Sequence, residues 1–263
     1  MSNIENAFKG KAKNQKAFIA FLTAGDPSIE RTEEFILKIE RAGADIIEIG
    51  IPFSDPIAEG QVIQKANIRA LNAGTTVEKV FSLVARVRQK TAVPLVFLTY
   101  LNPVFRYGYE AFFKRCRETG VDGIIIPDLP FEEQNEVKSV SSKYGVDLIS
   151  LIAPTSEQRI KEIAAAAQGF LYIVSSMGVT GVRSEIKTDL EAIISTAREV
   201  SKIPQAVGFG VHSAEQAARI AKIADGVIVG SAIVKIIEEN GAASGEKLED
   251  YVRAMKTACT VSR

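Results

Sequence analysis

The chain has 263 residues, with 32 basic and 32 acidic side chains and a formal net charge of zero, which leaves no electrostatic footprint for nucleic acid or an anionic membrane surface. One histidine, His212, and two cysteines without ligand spacing, Cys116 and Cys259, exclude a multi-histidine metal centre and predict free thiols. No apolar run reaches the ~18 residues of a spanning helix, and Met1-Ser2-Asn3-Ile4-Glu5 lacks a leader pattern, so the expected location is cytoplasmic.

The first predicted element is a helix over 3–9, followed by a strand over 17–22 (AFIAFL) and a helix over 30–41. A strand over 45–50 (DIIEIG) precedes a gap long enough for two helices. One of these is marked by Val77, Val80, Phe81, Val84 and Val87 at three- and four-residue steps. Strands at 94–99, 122–126, 147–152, 169–174, 204–208 and 226–230 then alternate with helices at 109–118, 131–143, 157–167, 189–200 and 213–222. A last helix is predicted over 246–259.

Eight strands alternating with helices predict a (β/α)8 TIM barrel, read as one domain over 1–263, with an extra N-terminal helix and an additional helix after strand two. A doubly wound open sheet is the alternative, but no Gly-x-Gly-x-x-Gly fingerprint follows the first strand. Gly43-Ala44-Asp45, Gly120-Val121-Asp122 and Gly145-Val146-Asp147 recur between a helix and the next strand, with Ala224-Asp225-Gly226 as a variant. The glycine suits a left-handed helix end and the aspartate a bond to the tight turn. These joints fall on the N-terminal face, which serves stability, so Asp45, Asp122 and Asp147 are assigned structural roles.

Glu48 stands out because it interrupts an apolar strand expected to be buried on both faces. A carboxylate there must be paired, hydrogen-bonded or protonated. From position alone it reads equally as a structural carboxylate or an acid/base catalyst. At the other end of the chain, strand seven runs into Gly208-Phe209-Gly210 and strand eight into Gly230-Ser231-Ala232-Ile233 at a helix start. Glycines at strand ends make turns, but glycine-rich loops after strands seven and eight, with Ser231 to cap the helix, also match the phosphate cup of this barrel. Gly178-Val179-Thr180-Gly181 is placed to close the cup from the side. Lys235 is predicted to face solvent and His212 to be an ordinary loop residue.

The strand ends also carry Asp26, Asp55, Glu59, Tyr100, Asn102, Asp128 and Tyr172, and no lysine. A Schiff-base aldolase would therefore lack its nucleophile and a metal aldolase its histidines. General acid/base catalysis on a phosphorylated substrate remains.

The run Ile47-Glu48-Ile49-Gly50-Ile51-Pro52-Phe53-Ser54-Asp55-Pro56-Ile57-Ala58-Glu59-Gly60 resembles the signature of the tryptophan synthase alpha chain family. The likeness extends through Phe21-Leu22-Thr23-Ala24-Gly25-Asp26-Pro27, Pro127-Asp128-Leu129-Pro130, Gly178-Val179-Thr180-Gly181 and Gly230-Ser231-Ala232-Ile233-Val234-Lys235. The resemblance implies cleavage of indole-3-glycerol phosphate to indole and glyceraldehyde 3-phosphate, in tryptophan biosynthesis. It implies Glu48 as the principal acid/base, Glu59 in place of an aspartate that handles the indole N–H, and Tyr172 as an active-site tyrosine. Phe21 and Thr180 match substrate-binding positions, and Gly181, Gly210, Gly230 and Ser231 match phosphate-binding ones. Asp55 and Pro56 fall on a loop that faces the partner, a pyridoxal-phosphate beta chain in an alpha2beta2 assembly, and no cofactor is implied in this chain. Glu59 is one methylene longer than the usual aspartate. Gln61 replaces a common proline, which predicts a looser start to the next helix, and Ser176 lies where some relatives carry arginine. Loops 53–60 and 178–188 are expected lids. Alternative readings are a phosphosugar isomerase on the same barrel, a stand-alone lyase, and an alpha subunit that mainly activates its partner.

Overall fold

A computed structural model describes residues 2–9, 14–174, 190–208 and 210–261. Its helices are α1 (Asn3–Lys9), α2 (Ile29–Arg41), α3 (Gln61–Asn72), α4 (Val77–Arg88), α5 (Leu101–Tyr107), α6 (Tyr109–Thr119), α7 (Gln134–Lys143), α8 (Glu157–Ala166), α9 (Leu190–Arg198), α10 (Ala214–Ile223), α11 (Ser231–Asn240) and α12 (Gly245–Ala258). Its strands are β1 (Ala17–Thr23), β2 (Ile46–Gly50), β3 (Leu95–Leu98), β4 (Gly123–Ile125), β5 (Asp147–Ile152), β6 (Leu171–Val174), β7 (Gln205–Gly208) and β8 (Gly226–Val229). Each strand pairs in parallel with its chain neighbours and β1 closes on β8, giving the (β/α)8 barrel.

Alternation along the strands divides the core. Ile19, Ile46, Val96, Ile125, Ile149, Phe170, Ala206 and Ile228 fill the barrel, and Ile4 of α1 is fully buried among them. The α1 helix plugs the N-terminal end, with Phe8 and Phe170 rings 5.8 Å apart. Residues one step away, such as Phe18, Ala20, Leu22, Ile47 and Ile49, pack outward against the helices.

The recurring joints work differently from the turn-bonding expected of them. Gly43, Gly120 and Gly145 have positive φ (108°, 85° and 70°), as predicted for left-handed helix ends. The aspartates instead reach the strand laid down before. Asp45 accepts from the Phe18 N–H at 2.6 Å, Asp122 from Leu95 at 2.8 Å and Asp225 from Gln205 at 3.0 Å. Each ties its own strand to the start of a neighbour, and Lys256, Arg88 and Arg198 respectively neutralise the three charges. Asp147 departs from this pattern: its Oδ2 is buried without a hydrogen-bond partner among the described residues, and burial raises its pKa.

Two helices fill the gap after β2, as predicted, and one further helix, α5, was absent from the prediction. Asn102-Pro103 reads as a break, yet proline in a first helical turn removes an N–H that has no intrahelical acceptor. The helix expected over 131–143 begins as a 3-10 turn over Phe131–Glu133. Strands stop short of Pro94 and Pro204, which have no N–H, although both carbonyls still accept, from Ile47 at 3.0 Å and Leu171 at 2.8 Å. Residue 189, in the helix predicted over 189–200, lies outside the described residues.

Candidate active site

Parallel pairing sets Phe21 of β1 beside Glu48 of β2, both on the inward face near the C-terminal rim. They line a cleft of about 580 Å³, its open mouth included, together with Glu59, Tyr172, Gly210, Gly230 and Ser231. Of the predicted site residues, only the exposed Asp55 and its neighbour Pro56 stand away from this wall among those described. Thr180 and Gly181, and with them Ser176 and the loop 178–188, lie outside the described residues.

Glu48 is 1% exposed, and neither carboxylate oxygen has a hydrogen-bond partner among the described residues. Burial, reinforced by the charge of Glu59, raises its pKa to about 8. Glu59 is 8% exposed, and burial raises its pKa to about 7. Both acids therefore hold or exchange a proton near neutral pH, the range suited to acid/base catalysis. The Tyr172 phenol is pushed upward by burial and then by the charges of Glu48 and Glu59, and stays protonated.

The chain around Glu59 is held at two points. Gln64 Nε2 donates to the Glu59 carbonyl at 2.8 Å, and the Ala58 N–H donates to Tyr100 Oη at 3.0 Å. The Tyr100 ring lies 5.3 Å from that of Phe53, on the same loop. Gln61 is the first residue of α3, and the Gln64 N–H donates to the Gly60 carbonyl at 3.0 Å, so the first turn closes without the proline.

The opposite wall depends on glycine. A Cβ at Gly208 would lie 2.5 Å from Tyr172 Oη, and one at Gly230 3.2 Å from the Phe21 ring. Gly230, rather than Ser231, occupies the cap position of α11, and Ser231 is its first helical residue. This leaves N–H groups at the helix start facing the cleft rim, which favours an anion. Lys235 points to solvent and pairs with Glu239 at 3.8 Å. His212 is a loop residue whose ring nitrogen lies 2.9 Å from the Gly210 carbonyl, while the His212 carbonyl accepts from the Tyr251 hydroxyl at 3.0 Å.

The remaining rim candidates have other partners. Asp26 is gripped by Arg69 through two bonds, at 2.9 and 2.8 Å, and Asp128 accepts from the Leu101 N–H at 2.8 Å. Asn102 is exposed on α5. Ile63, Leu98, Leu151 and Ile228, none of them a predicted site residue, form an apolar flank of the cleft. Leu98, Leu151 and Ile228 are inward positions of their strands, and the two-residue period would have found them. Among the described residues no cluster of three or more His, Cys, Asp or Glu is arranged to hold a metal.

A sequence model described as "Tryptophan synthase alpha chain" matches residues 8–260. The chain belongs to the tryptophan synthase alpha chain family. The family member from Lacticaseibacillus casei is 47% identical over 258 residues, covering 98% of this chain and 96% of the relative. That from Alkaliphilus metalliredigens is 50% identical over 258 residues, covering 97% of each. In three dimensions the chain matches a chain of Mycobacterium tuberculosis tryptophan synthase with a TM-score of 0.90 at 34% identity, over 99% of both. A chain of the Pyrococcus furiosus tryptophan synthase a2b2 complex matches with a TM-score of 0.85 at 38% identity, over 92% of this chain and 98% of that one. The family places the chain among the enzymes of tryptophan biosynthesis. No helix among the described residues is long and apolar enough to cross a membrane.

Proposed function

We propose that the cleft cleaves indole-3-glycerol phosphate to indole and glyceraldehyde 3-phosphate. The observation that carries this reading is the pair of buried carboxyl groups, Glu48 and Glu59, raised to about 8 and about 7 in one cleft with the start of α11 on its rim. The apolar flank of Ile63, Leu98, Leu151 and Ile228 suits a flat heterocycle better than a bare phosphosugar. The main-chain N–H groups around Gly210, Gly230 and Ser231 suit the phosphate.

Protonated Glu48 gives its proton to the indole ring carbon that bears the side chain, which makes an iminium-like electron sink. Ionised Glu59 stabilises the positive charge beside the ring N–H. The Glu48 carboxylate then takes the proton from the adjacent glycerol hydroxyl. The carbon–carbon bond breaks, its electron pair returns to the ring, and the hydroxyl carbon leaves as an aldehyde. Glu48 ends protonated, so the cycle balances without a cofactor in this chain. Positioned proton transfer contributes ~10² to 10⁴ in rate, and holding the substrate supplies more. Association with a pyridoxal-phosphate beta chain as alpha2beta2, through the face bearing Asp55 and Pro56, belongs to the same reading. Its support is the match to the Pyrococcus furiosus complex.

The test is release of indole from indole-3-glycerol phosphate by the purified chain, alone and with a beta chain. Glu48→Gln should bind the substrate and lose turnover at least a hundredfold. Near-normal turnover in that variant would remove Glu48 from the chemistry.

A further inference from the structure

Arg69 joins three elements that each carry one part of the cleft. It lies on α3, which starts two residues after Glu59. Its guanidinium holds Asp26, 1% exposed in the turn after β1, through bonds of 2.9 and 2.8 Å, and reaches Glu238 of α11 at 3.2 Å. The α11 helix begins at Ser231 on the cleft wall, and β1 carries Phe21. Closer to the site, Ile63 and Ala66 of α3 and Val234 of α11 share an apolar patch with Phe21 of β1. Apolar contact is non-directional and does not by itself select one axial register. The two-pronged guanidinium bond to Asp26 anchors α3 on the turn after β1, and the single bond to Glu238 extends that hold to α11.

We propose that Arg69 is a positioning residue that fixes the separation between Glu59, two residues before α3, and the anion-binding start of α11. The inference rests on the lyase reading, because a substrate with a ring at one end and a phosphate at the other must match that separation. A helix moves as a rod, so a shift at Arg69, ~12 Å along α3 from Gln61, reaches Gln64, whose side chain holds the Glu59 carbonyl. Each end of the substrate, bound alone, tolerates the shift. The joined molecule does not, since its second end binds at an effective concentration set by geometry.

The test uses the full chain in a Glu48→Gln background, so that the substrate stays intact, and compares affinities for inorganic phosphate, indole and indole-3-glycerol phosphate by calorimetry. Arg69→Met combined with Asp26→Asn, which avoids stranding a buried carboxylate, should leave phosphate and indole within about twofold and weaken indole-3-glycerol phosphate by about tenfold or more. Should that variant fail to fold, Glu238→Gln leaves the Asp26 pair intact, cuts only the tie to α11, and should shift the joined substrate in the same direction. Unchanged affinity for the joined substrate, or an equal fall in all three affinities, overturns the proposal. Turnover by the chain with Glu48 restored judges the lyase reading separately: absence of indole release refutes that reading while the affinities still decide the role of Arg69.

Discussion

Glu48 is buried in an apolar strand, and Glu59 shares the same low-dielectric cleft. That depends on the loop after β2 folding back, which Tyr100 and Gln64 enforce from other elements. The raised pKa values lead to two predictions. In the free enzyme the donor must be protonated and its neighbour ionised, so kcat/KM should be bell-shaped, with limbs near the values of about 7 and about 8 belonging to the pair. Glu59→Gln should remove the acidic limb, and a profile that keeps both would detach Glu59 from the titration. The second concerns stability. A carboxyl group whose folded value lies above its unfolded value near 4.5 binds more protons in the native state across the interval between them. Its favourable contribution is complete below about 4.5 and is lost as pH rises through about 8. Glu48→Gln should therefore match the parent chain in urea unfolding at pH 4.5 and exceed it at pH 8, by on the order of a few kcal/mol. Equal stabilities at pH 8 would contradict this.

At the level of elements, short apolar runs bounded by Gly, Pro or Asp located every strand, and helical spacing missed one helix. The Val77-to-Val87 spacing made α4 plain because one face is buried. The seven-residue α5 offers too few turns for a period to register, and its proline hides in the first turn, where it costs no bond. The joint aspartates were legible as structural residues, though their acceptor role is not local: the strand each one grips lies 20 to 27 residues back in the chain. Asp122 is the best probe, since it accepts from the Leu95 N–H, Arg88 and Asn3, each at 2.8 Å. Asp122→Ala should destabilise the chain by about 2–4 kcal/mol in denaturant unfolding, through unpaired buried donors rather than lost volume. The exposed Asp55, replaced in the same way, should shift stability by no more than about 0.5 kcal/mol. Similar values for the two would mean that the joints do not hold the barrel.

For the molecule as a whole, strand number and order were written in the alternation of short apolar runs with helical patterns, because a parallel sheet must bury both faces. The distribution of apolar surface was not, since exposure depends on which loop tips the closed barrel leaves uncovered. Ile57 and Phe105 are 74% and 64% exposed, on the loop after β2 and the helix after β3. Adjacent strands deliver both to the same C-terminal rim that carries Asp55 and Pro56, the rim that the proposed association uses. Ile57 stands two residues from Glu59, and the intervening Ala58 N–H is fixed on Tyr100 at the base of α5. A partner that buries this surface would therefore press on the loop that sets Glu59, which gives association a physical route to the chemistry. Ile57→Asp with Phe105→Asp should weaken binding of a beta chain by ~10²-fold and abolish its stimulation of indole release. Thermal midpoint and turnover of the chain alone should stay unchanged, because neither side chain is buried in the barrel. Sedimentation of the mixed chains reads the first effect and the indole assay the second. Unaltered association would place the partner on another face of the barrel.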